Sequence, residues 1–416
     1  MNLVEKRQKN TNLKRHKIII KKLKKQVRGI TLIALVVTII VLLILAGVAL
    51  SLTVGDNGLF RRAEQATNTW RNAETNEQLA MEEVSDWMDG YLNGDGEDNA
   101  LKEITGNETE NTITQDKLGN PITIPAGFKV VNPEDDVTKG IIIEDVSAPG
   151  KTSDTKGSQF VWIPVGDVYT SADHTEENKV TITLGRYSFA SDGTPSHYSD
   201  SSYREDTAES HNSKYGNAIA KDINDFIEKA NSSGGYYIGR YEAGDATATS
   251  SERTGSSSDT NPLVSKSGVY PYNYITQTQA SNLCQSMYTS SNFESDLINS
   301  YAWTTAIVFI QEFSGDTNYS MQAGRNTART EQKCGESILD SSYVDEGDIA
   351  QDVRCNIYDM AGNVREWSTE TLLMAALPCT DRGGNWLNTR DCPSSRFNDT
   401  TTGNSNEFSA RPILYL

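Results

Sequence analysis

From Ile30 to Val54 the chain carries no charged residue, reading ITLIALVVTIIVLLILAGVALSLTV, and no other stretch restricts its folding so tightly. A helix of that length spans roughly 37 Å, enough to cross a bilayer core of about 30 Å. Lys21, Lys22, Lys24, Lys25 and Arg28 abut one end, and Asp56 is the first charge beyond the other. Cations on the N-terminal flank predict residues 1–29 in the cytoplasm, a transmembrane helix over 30–55, and the remainder outside the cell. A cleaved secretory signal has a shorter apolar core, and this run is too long for one.

Charge divides just as unevenly. Residues 1–29 hold eleven of the 38 Lys/Arg and one of the 56 Asp/Glu, so 27 basic and 55 acidic side chains follow Gly29. A body so acidic repels phosphate backbones, which argues against nucleic acid as a partner, and suits water, cations or sugars. After the turn Gly55-Asp56-Asn57-Gly58, the residues Leu59, Ala63, Ala66, Trp70, Ala73, Ala80, Val84, Trp87 and Tyr91 recur at alternating four- and three-residue steps, broken only at Glu77. That spacing predicts an amphipathic helix over 56–92, followed by a polar linker over 93–120.

From Pro121 the texture changes to short β-like runs at 122–124, 128–131, 141–143, 160–163 and 236–238, with helical patterning at 218–231, 278–287 and 300–313. Ser/Thr/Asp/Gly-rich stretches at 190–213 and 245–261 read as loops. The expected class is α+β: a long N-terminal membrane-spanning and amphipathic helix, then an irregular domain over 121–416. Five cysteines, Cys284, Cys334, Cys355, Cys379 and Cys392, contain no C-x-x-C pair; Cys379 with Cys392 or Cys334 with Cys355 are the bridges open to them.

Two resemblances arise from motifs. Lys25-Gln26-Val27-Arg28-Gly29 before Ile30-Thr31-Leu32-Ile33 resembles the prepilin leader. That implies cutting between Gly29 and Ile30 by a prepilin peptidase, methylation and pilin-like partner subunits; an uncleaved signal anchor is the simpler alternative. The chain departs from type IV pilins at Ala34, where they carry Glu at the fifth mature position, and the departure bears on filament assembly rather than processing.

Further on stand Phe160-Val161-Trp162-Ile163-Pro164-Val165, then Gly235-Tyr236-Tyr237-Ile238-Gly239-Arg240-Tyr241-Glu242, then Tyr358-Asp359-Met360-Ala361-Gly362-Asn363-Val364-Arg365-Glu366-Trp367. Arg382-Gly383-Gly384-Asn385-Trp386 and Phe408-Ser409-Ala410-Arg411-Pro412 complete the series. This order resembles the formylglycine-generating enzyme (sulfatase-modifying factor) family, and implies its variant of the C-type lectin fold. In calcium-binding members the Gly-Asn-Val-x-Glu-Trp block supplies ligands, so the resemblance makes Asn363 and Glu366 calcium candidates; the same oxygens equally serve as turn caps.

The oxidases of that family bind copper through two cysteines shortly after Arg-Gly-Gly. Here Asn388 holds the first such position and only Cys392 lies near the second, so no copper and no enzyme are expected. A formylglycine-generating-enzyme-related oxidoreductase with an altered site is the alternative. Binding remains as the function: a surface-displayed, pilin-like or pseudopilin-like adhesin or receptor taking a polar glycan or protein ligand. Its candidate ligand-binding residues are Asn385, Trp386, Asn388, Arg390, Arg396, Asn398, Asn404 and Asn406. The segment Asn385–Asn406 also resembles the variable segment of proteins diversified by retroelements, in which adenine-rich Asn codons are the variable sites.

Overall fold

The computed structural model describes residues 100–149, 155–205, 220–250, 261–324, 326–339, 351–374, 376–388 and 390–416. The chain divides into units 1–96 and 97–416, and every described residue belongs to the second. The Ile30–Val54 run, the Gly29–Ile30 junction and the 56–92 repeat all lie outside the described residues.

A six-stranded antiparallel sheet forms the centre. Its strands run in the order Glu294–Leu297, Pro412–Tyr415, Gly235–Gly239, Gln159–Pro164, Ile142–Asp145, Phe128–Val130. The middle strands are apolar without interruption because both their faces are covered. Phe160, Trp162, Tyr237 and Leu414 enter one hydrophobic core, whereas Val161, Ile163, Tyr236, Ile238 and Ile413 enter the other. Successive side chains of a strand point to opposite faces, so a solid apolar run serves two cores at once.

Helices cover the faces. Ile223–Ser232 and Ser300–Phe313 pack on the second core through Phe226, Ala230, Trp303, Ala306, Ile307 and Ile310. Gln277–Gln285 packs on the first through Ala280, Leu283 and Cys284. Each starts on a side chain that satisfies an orphan helix N–H: Asp222 accepts from Asn224, Thr276 forms a capping box with Gln279, and Asn299 accepts from Ala302.

A second sheet joins the first core through Trp367, Cys379, Phe408 and Ala410. Its strands run Tyr203–Arg204, Arg365–Leu372, Cys379–Arg382, Arg396–Asp399, with Phe408–Ala410 parallel to Arg365–Leu372.

The α+β expectation is corrected by these elements. Strands dominate, and the three α-helices among the described residues are short, the longest having 14 residues. The reason lies in segments whose polar composition hides strand pairing. Within the expected linker, Thr112–Gln115 pairs with Pro121–Ile124. Within the expected loop at 190–213, Pro195–His197 and Tyr203–Arg204 both pair with other strands. Short edge strands need backbone partners more than apolar side chains, so composition alone does not reveal them. The membrane expectation is corrected as well. No described helix is long and apolar enough to cross a membrane, so neither membrane anchoring nor the cell-surface location that depended on it has structural support.

Candidate functional site

The Tyr358–Trp367 block is a buried brace. Gly362 and Gly324 approach so closely that a Cβ on Gly362 would lie 2.0 Å from the Gly324 carbonyl oxygen. Asp359 and Asn363 both adopt the left-handed backbone, with φ of 61° and 57°. The Trp367 indole N–H donates to the Ile275 carbonyl at 2.9 Å, and its ring stacks on Phe408 at 4.6 Å.

Glu366 and Asn363 meet protein partners. Arg411 grips both oxygens of Glu366, with Nε donating to Oε2 at 2.8 Å and Nη2 to Oε1 at 2.5 Å. The same guanidinium donates to the carbonyls of Gly239 and Tyr358, each at 2.8 Å. The Asn363 oxygen accepts from the Gln332 N–H at 2.8 Å, and its amide donates to Gln332 O and to Glu242. A guanidinium seated on the carboxylate is a poor neighbour for a divalent cation, so this oxygen set does not fit calcium. Glu242 and Asp359 are buried beside it, and burial, then Glu242 and Asp352, push Asp359 well above the usual carboxylate range.

All five cysteines are free thiols, so neither open pairing is a disulfide. Burial, then Asp399 and Asp381, push the Cys379 thiol up to about 12, which disfavours the thiolate that soft metals require. The Cys392 sulfur lies 3.3 Å and 3.4 Å from the Ser394 and Ser395 hydroxyls. His174 stacks on Tyr169 and His197 on Tyr187.

The C-terminal candidates separate into three groups. Asn385 is buried and structural: its oxygen accepts from the N–H groups of Leu387 and Asn388, and its amide donates to Glu407. Trp386 is half-buried beside it, with Asn388 half-buried and Arg390 exposed on the adjoining loop. Asn404 is exposed, and Asn406 donates to Glu331 at 3.3 Å. Arg396 and Asn398 are different, because their strand carries them into one constellation.

The Arg396 Nε donates to Glu370 Oε2 at 2.6 Å, and its guanidinium lies 3.9 Å from the Tyr198 ring centroid and 5.3 Å from that of Tyr203. The Asn398 amide donates to the Tyr203 hydroxyl at 2.6 Å. Arg186 donates to the other Glu370 oxygen and, through both Nη atoms, to the Tyr203 carbonyl at 3.2 Å. Arg382, fully buried, places Nη1 3.6 Å from Glu370 Oε2. Burial pushes Glu370 up, but Arg396, Arg382 and Arg186 outweigh it and hold the carboxyl below its usual range. Burial, then the Arg396 charge, depress Arg382 to about 9.

Sequence reasoning missed Tyr198, Tyr203, Arg186, Arg382 and Glu370. One signal was present, the Tyr-Arg pair at 203–204 within a Ser/Asp-rich stretch.

No family model and no curated protein matches the chain. Among solved structures, a protein named CarF superposes with a TM-score of 0.31 at 14% identity, over 44% of this chain and 87% of its own. Treponema denticola variable protein 1 superposes with a TM-score of 0.31 at 10% identity, over 62% of this chain and 96% of its own. Likenesses this partial carry no argument about fold or activity, which leaves the geometry to speak for the site.

Proposed function

We propose that this chain is a ligand-binding protein that takes a polar ligand, a glycan or a protein surface, and catalyses no reaction on it. The observation that carries this reading is the meeting of Arg396, Asn398, Tyr198 and Tyr203, four half-buried side chains from two distant segments. Tyrosines flanking polar and cationic groups give flat contact area and hydrogen bonds at low cost in side-chain freedom, which suits binding surfaces. Asn388, Arg390 and Asn404 extend the polar surface on neighbouring loops. Diversification of the segment 385–406 would accord with this reading at its exposed positions, such as Arg390 and Asn404, where changes alter the ligand without disturbing the core.

Glycan and protein arrays probed with the full chain test it. The wild type captures a defined ligand, and both Asn398→Ala and Tyr198→Ala weaken capture at least about tenfold, the loss of roughly 1.4 kcal/mol. Capture unaffected by both substitutions contradicts the reading.

A further inference from the structure

Around Arg396 three guanidiniums crowd one buried carboxylate, Glu370. Arg382 and Arg396 stand directly opposite each other on neighbouring strands, an arrangement that like charges disfavour. Arg186 enters from a third segment, and Glu370 is the carboxylate that all three share. Glu205 acts on Arg186 from farther away, its own oxygens accepting from the Ser300 N–H and the Thr369 hydroxyl. Asp381 lies 3.9 Å from Arg365, and Asp200 is an exposed rim residue. Three guanidiniums therefore share one close carboxylate, Glu370, while Glu205, Asp200 and Asp381 act on them from farther away.

The donors point the same way. Arg186 Nε, Arg382 Nε, Arg382 Nη1 and Arg396 Nη2 are buried, and none has a hydrogen-bond acceptor among the described residues. A buried donor left without an acceptor is unfavourable, and four on three clustered guanidiniums call for an acceptor that the described residues do not supply. A guanidinium presents its N–H groups as a planar fork that matches two oxygens of a carboxylate, sulfate or phosphate.

The geometry points to an oxyanion site: Arg396, Arg382 and Arg186 receive the anionic group of an acidic ligand, while Tyr198, Tyr203 and Asn398 contact its polar remainder. This assignment rests on the proposed binding function and adds the chemical class of what is bound. Carboxylate, sulfate and phosphate share the required chemistry, so the probes are the simple anions themselves.

The test tracks the thermal unfolding of the full chain in sodium acetate, sulfate or phosphate against sodium chloride at equal ionic strength. At least one oxyanion should raise the midpoint saturably. The half-saturating concentration should rise about tenfold in Arg396→Gln, whose retained fold is checked by circular dichroism, and stay unchanged in Lys102→Gln, an equal loss of charge at an exposed site. A rise that climbs without saturation, or is equal in wild type and Arg396→Gln, is general salt exclusion and overturns the site. The two proposals fail separately. An array ligand lost in Asn398→Ala but indifferent to competing oxyanions upholds ligand binding and overturns the anion assignment. A saturable, Arg396-dependent oxyanion effect in a chain that captures nothing upholds the anion site and overturns the larger ligand.

Discussion

Arg411 and Glu366 show what a single buried contact decides in this protein. Both are almost fully buried, and the guanidinium also ties the carbonyls of Gly239 and Tyr358. Removing one partner strands the other charge in the core, so Arg411→Met should lower stability by roughly 3–5 kcal/mol in urea unfolding. Arg411→Met combined with Glu366→Gln should recover a large part of that loss, and a double variant no better than the single one contradicts the ion-pair account. Asp296 makes a second prediction. Burial pushes its carboxyl to about 6, against hydrogen bonds from Gln285, Lys221 and Leu297. Because the folded value is raised, the stability due to its protonated form is complete below about pH 4 and is lost as pH rises through about 6, amounting to about 3 kcal/mol. Asp296→Asn should flatten the unfolding midpoint across that window; an unchanged slope contradicts the assignment. Neither residue's role was legible beforehand, since sequence marks a carboxylate without marking its burial.

Elements were read with more success where their signal was local. The helix expected at 300–313 occupies Ser300–Phe313, and the runs at 160–163 and 236–238 are the adjacent central strands of the larger sheet. Apolar periodicity and continuous hydrophobic runs report burial directly, and in these elements burial decides the structure. The pairings at 112–115 and 195–197 are short hairpins of largely polar residues and that at 203–204 joins a strand far along the chain, so all three rest on backbone hydrogen bonds that apolar patterning does not report. Gly362 closes on Gly324 so tightly that a Cβ on it would lie 2.0 Å from the Gly324 carbonyl oxygen. Gly362→Ala should force the two segments apart and cost roughly 2–4 kcal/mol, measured by denaturant unfolding. A stability within 0.5 kcal/mol of wild type, on the order of an ordinary surface substitution, contradicts the close approach. Thr276→Ala removes half of a capping box and should cost about 1 kcal/mol in the same assay.

At the scale of the whole molecule, the proposed site is assembled across the chain. Arg186 and Glu370 are 184 residues apart, and Tyr203 and Asn398 are 195 apart. No window of sequence contains both halves. The polar C-terminal segment supplies one half of the constellation, with Arg396 and Asn398 turned into it and Asn385 turned into the core instead. An Asn that caps a turn and an Asn that awaits a ligand have the same letter and the same local composition, which is why the eight candidates could not be sorted from sequence. The brace around Trp367 and Arg411 fixes the strand Arg365–Leu372, which bears Glu370. The proposed binding site thereby stands on a rigid support, and hydrogen exchange of the full chain with and without an array-selected ligand reads its location most directly. The account predicts protection at 198–204 and 394–400 together; protection confined to other segments, or none at saturation, contradicts it.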